Sequence, residues 1–472
     1  MVMVNPHIFR EYDIRGVAGR DLTPEVMIEL GRVFAALARE ASSTQTDPPA
    51  VPLTVALGRD GRLSSPELAR ALATGLASGG MAVIDVGLVT SPGLYFATHH
   101  LQTDAGIMVT GSHNPKNHNG LKMLRMGRPL YGPDIQALRH RLESGGAPEV
   151  AGGSLRTASI LDAYVARMTA DFRPGRPMKV IMDCGNGAAG VVMPALLQRL
   201  PGITGEVLFA EVDGNFPHHH PDPTLPENLR HLRQRMQETG AELGVAFDGD
   251  GDRLGALDES GAIVWGDRLM ILFARQLLLE RPGATVIGDV KCSQLLFDAV
   301  AAAGGKPLMW KTGHSVIKAK MRETGAPLSG EMSGHLFFAD RWYGFDDAAY
   351  AAVRLIELLA ATPLTLAGRL ADLPRLYATP ELRIDCPDES KFQVIERILA
   401  GQQAIGSDLT TVDGVRVRLP DGAWWLLRVS NTQPALVARV EAKSRERLLE
   451  IVAELTRLLA AERIAFPEWQ EG

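Results

Sequence analysis

The hexapeptide Thr110-Gly-Ser-His-Asn-Pro115 decides how the rest of the chain is interpreted. It follows an apolar run at residues 105–109, which is typical of a buried strand, and it ends in Asn-Pro, which interrupts regular structure. This pattern predicts that Ser112 lies in a turn at the carboxyl end of a strand. Ligands of open α/β sheets bind at that edge, and Gly111 lets the backbone approach a ligand closely. Ser112 is therefore a candidate nucleophile, although the same residue types also form ordinary turns.

The composition is that of a globular protein with several domains. The chain has 472 residues, of which 46% are hydrophobic and 22% are charged, and its formal net charge is −6. It lacks the excess of lysine and arginine that is typical of nucleic-acid-binding proteins. Cys184, Cys292 and Cys386 are too far apart to predict a disulfide framework or a C-x-x-C site. The sequence shows no signal peptide and no long uncharged apolar segment, so we expect a cytoplasmic protein with neither a membrane nor a nucleic-acid partner.

A strand, a polar loop with glycine and a helix follow one another three times along the chain. The predicted strands cover residues 51–57, 178–182 and 284–287, and the loops after them begin Gly58-Arg-Asp-Gly-Arg, Asp183-Cys-Gly-Asn-Gly and Gly288-Asp-Val-Lys-Cys. These units are more than 100 residues apart, which indicates successive domains rather than a solenoid. After residue 382, short strands and a final amphipathic helix predict a domain with helices on an antiparallel sheet.

The sequence therefore predicts an α/β protein with three similar mixed α/β domains and a C-terminal α+β domain. We expect the first domain, with the Ser112 turn, at residues 1–153 and the second at residues 154–260. The third is expected at residues 261–374 and the α+β domain at residues 375–472.

Three carboxylates follow a second predicted strand. Asp248-Gly-Asp-Gly-Asp-Arg253 comes directly after an apolar run at residues 243–247, and its glycines impose no steric limit between the acids. Asp248, Asp250 and Asp252 can converge on one hard cation, and acids this close repel one another without one. An EF-hand is disfavoured because Arg253 stands where its sharp turn requires glycine. The pattern predicts a Mg²⁺ site with room for water or a phosphate oxygen.

Two further polar turns lie next to predicted strands. Gly330-Glu-Met-Ser-Gly-His335 offers Glu331, Ser333 and His335 as partners for the hydroxyls of a sugar. Arg428-Val-Ser-Asn-Thr-Gln-Pro434 offers an arginine that can bind two phosphate oxygens and a tight turn whose hydroxyls and N–H groups can hold an anion. Taken alone, each could be an unremarkable surface turn. Together with the serine and the carboxylates, they indicate a phosphorylated sugar as the ligand.

These four motifs, in this order, resemble those of the α-D-phosphohexomutase family, in its phosphomannomutase/phosphoglucomutase group. Tyr12 and Arg15, which we predict in or beside a loop, match the family as well, so that the resemblance covers nearly the whole chain. It implies a central cleft between three mixed α/β domains and a fourth domain similar to the TATA-binding protein.

The resemblance also implies roles for individual residues. Ser112 would carry the phosphoryl group and, with Asp248, Asp250 and Asp252, would bind Mg²⁺. The residues expected to take part in catalysis with Ser112 are Lys122, which would lie near the transferred proton, Arg15 and His314. The residues expected to bind the substrate are Tyr12, Arg253, Lys291, Glu331, Ser333, His335, Arg428, Ser430, Asn431 and Thr432.

The implied reaction moves a phosphoryl group between O1 and O6 of mannose or glucose, through phosphoserine and a hexose 1,6-bisphosphate that also serves as activator. Phosphoglucosamine mutase is the alternative within the family. A metal-dependent sugar phosphatase and a non-catalytic sugar-phosphate-binding protein are alternatives of other classes. The sequence leaves the choice between mannose and glucose and the oligomeric state open.

Overall fold

A computed structural model describes residues 4–42, 52–431 and 433–469 of the chain. Within these residues the strands form four β-sheets, which follow one another along the sequence. The first three are mixed and the fourth is antiparallel, so the predicted fold class is confirmed. No helix in the described ranges is long and apolar enough to cross a membrane.

The first sheet carries Ser112. Its strands are β1 (Ile14–Val17), β2 (Thr54–Arg59), β3 (Ala82–Leu88), β4 (Ala105–Val109), β5 (His118–Arg125), β6 (Arg128–Pro129) and β7 (Ser154–Thr157). Their order is β1-β5-β4-β2-β3-β7, with β6 paired to β5. The helices are α1 (Pro24–Ser42), α2 (Ser65–Ser78), α3 (Ser91–His100) and α4 (Pro133–Glu143), after a 3₁₀ turn at Pro6–Ile8. The loop predicted from Gly58 begins only at Asp60, because β2 continues through Arg59 in parallel pairing with β4.

The strand β7 lies beyond residue 153, the predicted end of the first domain. It pairs in parallel with β3, from Ala82↔Ser154 to Asp85↔Thr157. The first sheet therefore includes residues on both sides of residue 153.

The second sheet carries the three aspartates. Its strands are β8 (Met178–Asp183), β9 (Ile203–Leu208), β10 (Leu243–Phe247), β11 (Leu254–Leu257) and β12 (Ile263–Val264), in the order β12-β11-β10-β8-β9. The helices of this region are α5 (Leu161–Thr169), α6 (Met193–Gln198) and α7 (Arg230–Thr239), with 3₁₀ turns at Ala188–Val191 and Pro226–Leu229. All five residues of β10 are buried, which explains its continuous apolar sequence.

The third sheet carries the loop around Glu331. Its strands are β13 (Thr285–Asp289), β14 (Lys306–Trp310), β15 (Leu328–Gly330) and β16 (Leu336–Phe338), in the order β14-β13-β15-β16. The helices are α8 (Gly266–Glu280), α9 (Gln294–Ala302), α10 (His314–Thr324), α11 (Ala348–Ala360) and α12 (Leu366–Leu370). One buried apolar cluster runs from α3 of the first domain through β8 and β10 to α8 and α11, and so joins the first three sheets.

The fourth sheet has a core of its own. Its strands are β17 (Tyr377–Ala378), β18 (Leu382–Asp385), β19 (Asp408–Thr410), β20 (Val415–Arg418), β21 (Trp424–Val429) and β22 (Ala435–Ala442). The helices α13 (Lys391–Ala404) and α14 (Arg445–Ala461) contribute apolar side chains to this core. The sequence predicted α14 but not α13.

Candidate active site

Ser112 lies where the sequence places it, in the loop between β4 and β5 (residues 110–117, the serine loop). It is 2% exposed, and its backbone φ of 48° is in the left-handed region that residues other than glycine rarely adopt. The Thr110 hydroxyl accepts a hydrogen bond from the Ser112 N–H at 2.8 Å. Ser112 Oγ donates to Asp248 Oδ2 at 2.9 Å, so the structure brings the predicted nucleophile and the first predicted metal ligand together.

The three aspartates follow β10 in a loop at residues 248–253 (the metal loop). Asp248, Asp250 and Asp252 are fully buried, and one carboxylate oxygen from each lies within 4.8 Å of the others. A Cβ atom on Gly249 would lie 2.3 Å from the Ser112 carbonyl oxygen. Glycine at this position therefore allows the metal loop to approach the serine loop.

The acids of the metal loop share a buried charge network with Lys122 of β5. Lys122 Nζ donates to Asp250 Oδ2 at 2.7 Å and also to Asp252. Burial, together with the charges of Asp252 and Asp250, raises the pKa of Asp248. Burial opposes ionisation of Asp250 as well, but the ammonium of Lys122 lowers the pKa of that carboxyl. Burial acts to lower the pKa of Lys122, but the charges of Asp250 and Asp252 raise it, which keeps the ammonium charged.

The donor set suits a divalent cation. Asp250 Oδ1 and Asp252 Oδ1 are buried and find no hydrogen-bond partner among the described residues. Leaving buried carboxylate oxygens unpaired is unfavourable, and hard cations such as Mg²⁺ bind such oxygens. The acidic triad can therefore hold a metal ion.

Arg15 lies in β1, and not in the loop before it, because β1 pairs with β5 from Ile14 to Val17. Its side chain crosses Gly120 of β5, where a Cβ would lie 2.9 Å from Arg15 Cδ. Arg15 Nε donates to Asp13 Oδ2 at 2.8 Å. The charges of Asp13, Asp250 and Asp252 raise the pKa of Arg15 against the effect of burial, so Arg15 is a second cation that faces the acids.

The turn between β15 and β16 (residues 330–335, the sugar loop) places its three predicted residues at one site. Glu331 Oε1 accepts from the Gly313 N–H at 2.9 Å, and Ser333 Oγ donates to Glu331 Oε2 at 3.0 Å. His335 Nε2 accepts from Arg253 Nε of the metal loop at 3.0 Å. The sugar loop is thereby joined to the metal loop.

Two imidazoles stand beside each other at the sugar loop. The rings of His314 and His335 are stacked, with centroids 5.6 Å apart. Burial and the neighbouring Lys318 ammonium lower the pKa of His314, so this imidazole is neutral at pH 7. His335 Nδ1 lies 3.0 Å from Asp346 Oδ2, and Lys318 Nζ donates to the other oxygen of Asp346 at 2.8 Å.

The loop between β21 and β22 with Arg428 at its start (residues 428–434, the phosphate loop) closes the site from the fourth domain. Arg428 is buried, and its Nε donates to Asp413 Oδ2 at 2.9 Å. Asn431 Nδ2 donates to Tyr12 Oη, which itself donates to the Thr312 carbonyl at 2.7 Å. Tyr12 thus joins the first, third and fourth domains.

Thr432 and Lys291 are two further residues that the sequence predicts to bind the substrate. Thr432 lies outside the described residues. Lys291 is buried, with its Nζ 2.8 Å from Glu381 Oε2 of the fourth domain and 3.8 Å from Asp289. Burial acts to raise the pKa of Glu381, but the Lys291 ammonium lowers it to about 2. Lys291 is therefore part of an ion pair between the third and fourth domains.

Sequence reasoning missed several residues that hold these loops. Asp60 and Arg62 contact the serine loop, Lys391 at the start of α13 contacts the phosphate loop, and Asp413 binds Arg428. The Gly58-Arg-Asp-Gly-Arg62 stretch was a partial signal for Asp60 and Arg62, because β2 ends within it, at the same edge of the sheet as β4, the strand before Ser112.

Four sequence models of one family match successive parts of the chain. They describe the phosphoglucomutase/phosphomannomutase alpha/beta/alpha domains I, II and III, at residues 6–148, 162–261 and 265–377, and the C-terminal domain of the same family, at residues 381–458.

Similar proteins cover nearly the full length. A phosphomannomutase/phosphoglucomutase of Pseudomonas putida is 48% identical over 94% of this chain and 93% of its own. A phosphoglucomutase of Neisseria gonorrhoeae is 44% identical over 94% of both chains. The crystal structure of a phosphoglucomutase/phosphomannomutase family protein from Burkholderia thailandensis, at 43% identity, covers 99% of this chain and 100% of its own with a TM-score of 0.89. With its four motifs joined in one site, the chain belongs to the phosphoglucomutase/phosphomannomutase family of α-D-phosphohexomutases.

Proposed function

We propose that the chain is a phosphohexomutase, an isomerase that interconverts hexose 1-phosphates and hexose 6-phosphates of mannose, glucose or both. The observation that carries the proposal is the contact of Ser112 Oγ with Asp248 Oδ2, at 2.9 Å, in a site to which all four domains contribute. The names of relatives at 44% and 48% identity support the same activity.

Ser112 carries the transferred group in this mechanism. As phosphoserine it gives its phosphoryl to the free hydroxyl of the substrate, which produces a hexose 1,6-bisphosphate. The bisphosphate then turns over within the site and returns its other phosphoryl to Ser112. A hexose 1,6-bisphosphate from solution also phosphorylates Ser112 and so acts as activator. Because water competes as acceptor, the site must exclude it, and the burial of Ser112 supports this.

Mg²⁺ would be held by Asp248, Asp250, Asp252 and the phosphate on Ser112. When bound, it stabilises the negative charge that spreads over the oxygens of the transferred phosphoryl group. The chain itself supplies two more cations beside the acids: Lys122, which donates to Asp250, and Arg15, whose pKa is raised by the charges of Asp13, Asp250 and Asp252.

The accepting hydroxyl loses a proton as its phosphate bond forms. Lys122 remains charged beside Asp250 and Asp252, so it orients the phosphoryl group and stabilises the negative charge of that group. The imidazole of His314 is neutral and its Nδ1 lies 3.1 Å from Lys318 Nζ, so Nε2 is the nitrogen that can accept the proton. We therefore assign the cationic role to Lys122 and Arg15 and the proton-accepting role to His314.

The remaining predicted residues bind the substrate. Glu331, Ser333 and His335 contact the sugar hydroxyls. Arg428 and its neighbours hold the phosphate that is not transferred, and the other residues line the site between them. The neighbours of Arg428 are Ser430, Asn431 and Thr432, and the residues that line the site are Tyr12, Arg253 and Lys291.

The decisive experiment combines mass spectrometry with a substrate panel. Intact and peptide mass spectra of the active protein should show one phosphate on Ser112, and Ser112→Ala should abolish turnover. Mannose 1-phosphate and glucose 1-phosphate should be converted to 6-phosphates, with faster turnover than glucosamine 1-phosphate. Release of inorganic phosphate in place of isomerisation would instead identify a sugar phosphatase, and binding without turnover a sugar-phosphate-binding protein.

Cys184, Cys292 and Cys386 are free and buried, which fits a reducing compartment such as the cytoplasm. The domain limits at residues 153, 260 and 374 stay a prediction, and a fragment of the first domain should extend to residue 157 so that it includes β7. Size-exclusion chromatography with light scattering would determine the oligomeric state.

A further inference from the structure

Arg62 lies beneath the serine loop, in the turn that joins β2 to α2. It is 1% exposed, and its guanidinium donates to four carbonyl oxygens. Nη2 reaches Ser112 O and Asn114 O, each at 2.7 Å, while Nη1 reaches Pro115 O at 2.7 Å and His118 O at 3.0 Å. One side chain thus binds the carbonyl groups of the serine loop from the nucleophile to the start of β5.

Asp60 binds the other side of the same loop. Its Oδ2 accepts from Thr110 Oγ1 at 2.8 Å and from the Gly111 N–H at 3.1 Å. Its Oδ1 accepts from the Arg62 N–H at 3.1 Å, and Arg62 Nε lies 3.2 Å from Oδ2. Asp60 accepts hydrogen bonds from Thr110 and Gly111, before the serine, and Arg62 donates to carbonyl groups from Ser112 onward. The pair therefore holds the serine loop on both sides of the nucleophile.

The position of Arg62 explains the glycine before the nucleophile. A Cβ atom on Gly111 would lie 2.4 Å from Arg62 Cζ and Nε, which leaves no space for any other residue. The Ser112 φ of 48° is sparsely populated, so surrounding contacts must hold it. The hydrogen bonds from Arg62 to the carbonyls of Ser112, Asn114 and Pro115 are suited to do so.

We propose that Arg62, braced by Asp60, is a positioning residue for phosphoryl transfer, and that it fixes the left-handed conformation which directs Ser112 Oγ toward Asp248. This inference rests on the proposed mutase function. Arg62 bonds to the backbone of the serine loop, so it acts through Ser112 and not on the substrate. Loss of Arg62 is expected to slow the phosphorylation of Ser112 while substrate affinity, which depends on the sugar and phosphate loops, stays nearly unchanged.

The test compares Arg62→Ala and Arg62→Lys with Arg70→Ala, which removes an exposed arginine from α2. Dephosphorylated protein is mixed with glucose 1,6-bisphosphate, and intact mass spectrometry follows phosphate on Ser112. Misplacement of a reacting group by about 1 Å costs on the order of 100-fold in rate, so Arg62→Ala should lose about 100-fold. An ammonium cannot reach four carbonyls with its three donors, so Arg62→Lys should show an intermediate loss. Arg70→Ala should match the wild type.

Chemical rescue separates positioning from general stability. Guanidinium ion, below the concentrations that unfold the protein, should restore part of the rate of Arg62→Ala and none of that of Ser112→Ala. The KM for glucose 1-phosphate should change by less than about threefold in the Arg62 variants. Circular dichroism and active-site titration give the folded fraction, so that rates are compared per folded molecule.

The outcomes distinguish this inference from the proposed function. Normal phosphorylation per folded molecule in Arg62→Ala, or in Arg62→Lys if the alanine variant does not fold, would overturn the positioning role. A rise in KM with unchanged kcat would also overturn it. Failure of wild-type protein to accept phosphate on Ser112 would instead overturn the proposed function.

Discussion

In the proposed mechanism the serine loop and the phosphate loop bind opposite ends of the same substrate, but the fold holds them in different ways. Arg62 donates to four carbonyl oxygens in and next to the serine loop, and Gly249 of the metal loop lies directly against the Ser112 carbonyl. The phosphate loop is held from behind by Lys391, whose Nζ donates to the carbonyls of Ser430 and Gln433 at 2.8 and 3.1 Å.

This difference matches what each loop must do. A mutase delivers the phosphoryl group from one fixed atom, so the serine loop has a single working conformation and can be bonded throughout. The phosphate loop must hold the O6 phosphate in one pose and the O1 phosphate in the other. An ammonium on a flexible stem supports such a loop with less geometric constraint than a planar guanidinium. Changes at the serine end should therefore reduce kcat, and changes at the phosphate end should raise KM.

The largest effect is expected at the metal loop. Asp250→Asn removes one charge at nearly constant shape and weakens the binding of both Lys122 and the cation. Loss of a preorganised electrostatic group in an active site costs about 100- to 1,000-fold in kcat, so we expect a loss of that size. Activity of the wild type should also disappear with EDTA and return with Mg²⁺.

The matched control for this variant is Asp408→Asn, which alters an exposed aspartate of the fourth domain. It should leave kcat unchanged. Wild-type activity that persists in EDTA after dialysis would contradict the metal assignment, whatever the Asp250 variant does.

The second effect tests the phosphate loop. A charged hydrogen bond is worth roughly 1.5–3 kcal/mol, so Arg428→Ala should lose on the order of 10- to 100-fold in kcat/KM. The loss should be similar for hexose 1-phosphate and hexose 6-phosphate, because one loop serves both poses. Arg428→Lys should recover only part of it, because an ammonium cannot bind two oxygens side by side. A large loss in one direction of the reaction alone would contradict the two-pose mechanism.

The sequence reveals the functional residues of the loops, but not the side chains that support them. The turn residues, the preceding apolar strands and the resemblance to a family were enough to predict Ser112, the three aspartates and Arg428. Ser112 and the aspartates follow a strand at its carboxyl end, and Arg428 lies next to the last residue of β21. The serine loop follows β4 of the first sheet and the metal loop follows β10 of the second, so their convergence depends on how the two domains pack and was implied only by the resemblance.

The supporting side chains were not predictable in the same way. Arg62 follows a glycine in a polar turn, where arginine is usually a solvated surface charge, and its four acceptors become available only after β4 and β5 pair. Lys391 begins a helix that the sequence analysis did not predict, and it acts on a loop about 40 residues later. Contacts of this kind depend on tertiary packing, which local residue patterns do not encode.

The third effect separates the two kinds of support. Lys391→Met keeps the length of the side chain but removes the donors to Ser430 and Gln433. Two hydrogen bonds of about 0.5–1.5 kcal/mol each would be lost, so KM should rise about 10-fold for both phosphosugars. Phosphorylation of Ser112 by glucose 1,6-bisphosphate at saturation should proceed at the wild-type rate. A lower saturated rate with unchanged KM would contradict the division of roles between the loops.

The smallest effect on turnover is expected at the ion pair between the third and fourth domains. Lys291 lowers the pKa of Glu381 to about 2, against 4.5 for the free side chain. A lowered carboxyl pKa means that the unfolded chain binds more protons between these values. The pair therefore stabilises the fold above pH 4.5, and this contribution is lost as the pH falls toward 2.

Glu381→Gln removes this contribution and leaves kcat at pH 7 within about threefold of the wild type, because Glu381 contacts Lys291, which the proposed mechanism assigns to substrate binding and not to phosphoryl transfer. We expect a lower thermal midpoint than the wild type at pH 7, equivalent to about 1–3 kcal/mol, and a difference that shrinks as the pH falls below 4.5. Glu389→Gln, at an exposed position of the same domain, should show no such difference. A gap between wild type and Glu381→Gln that stays constant from pH 7 to pH 3 would show that the pair does not titrate as described, and that the fourth domain is held by its other contacts.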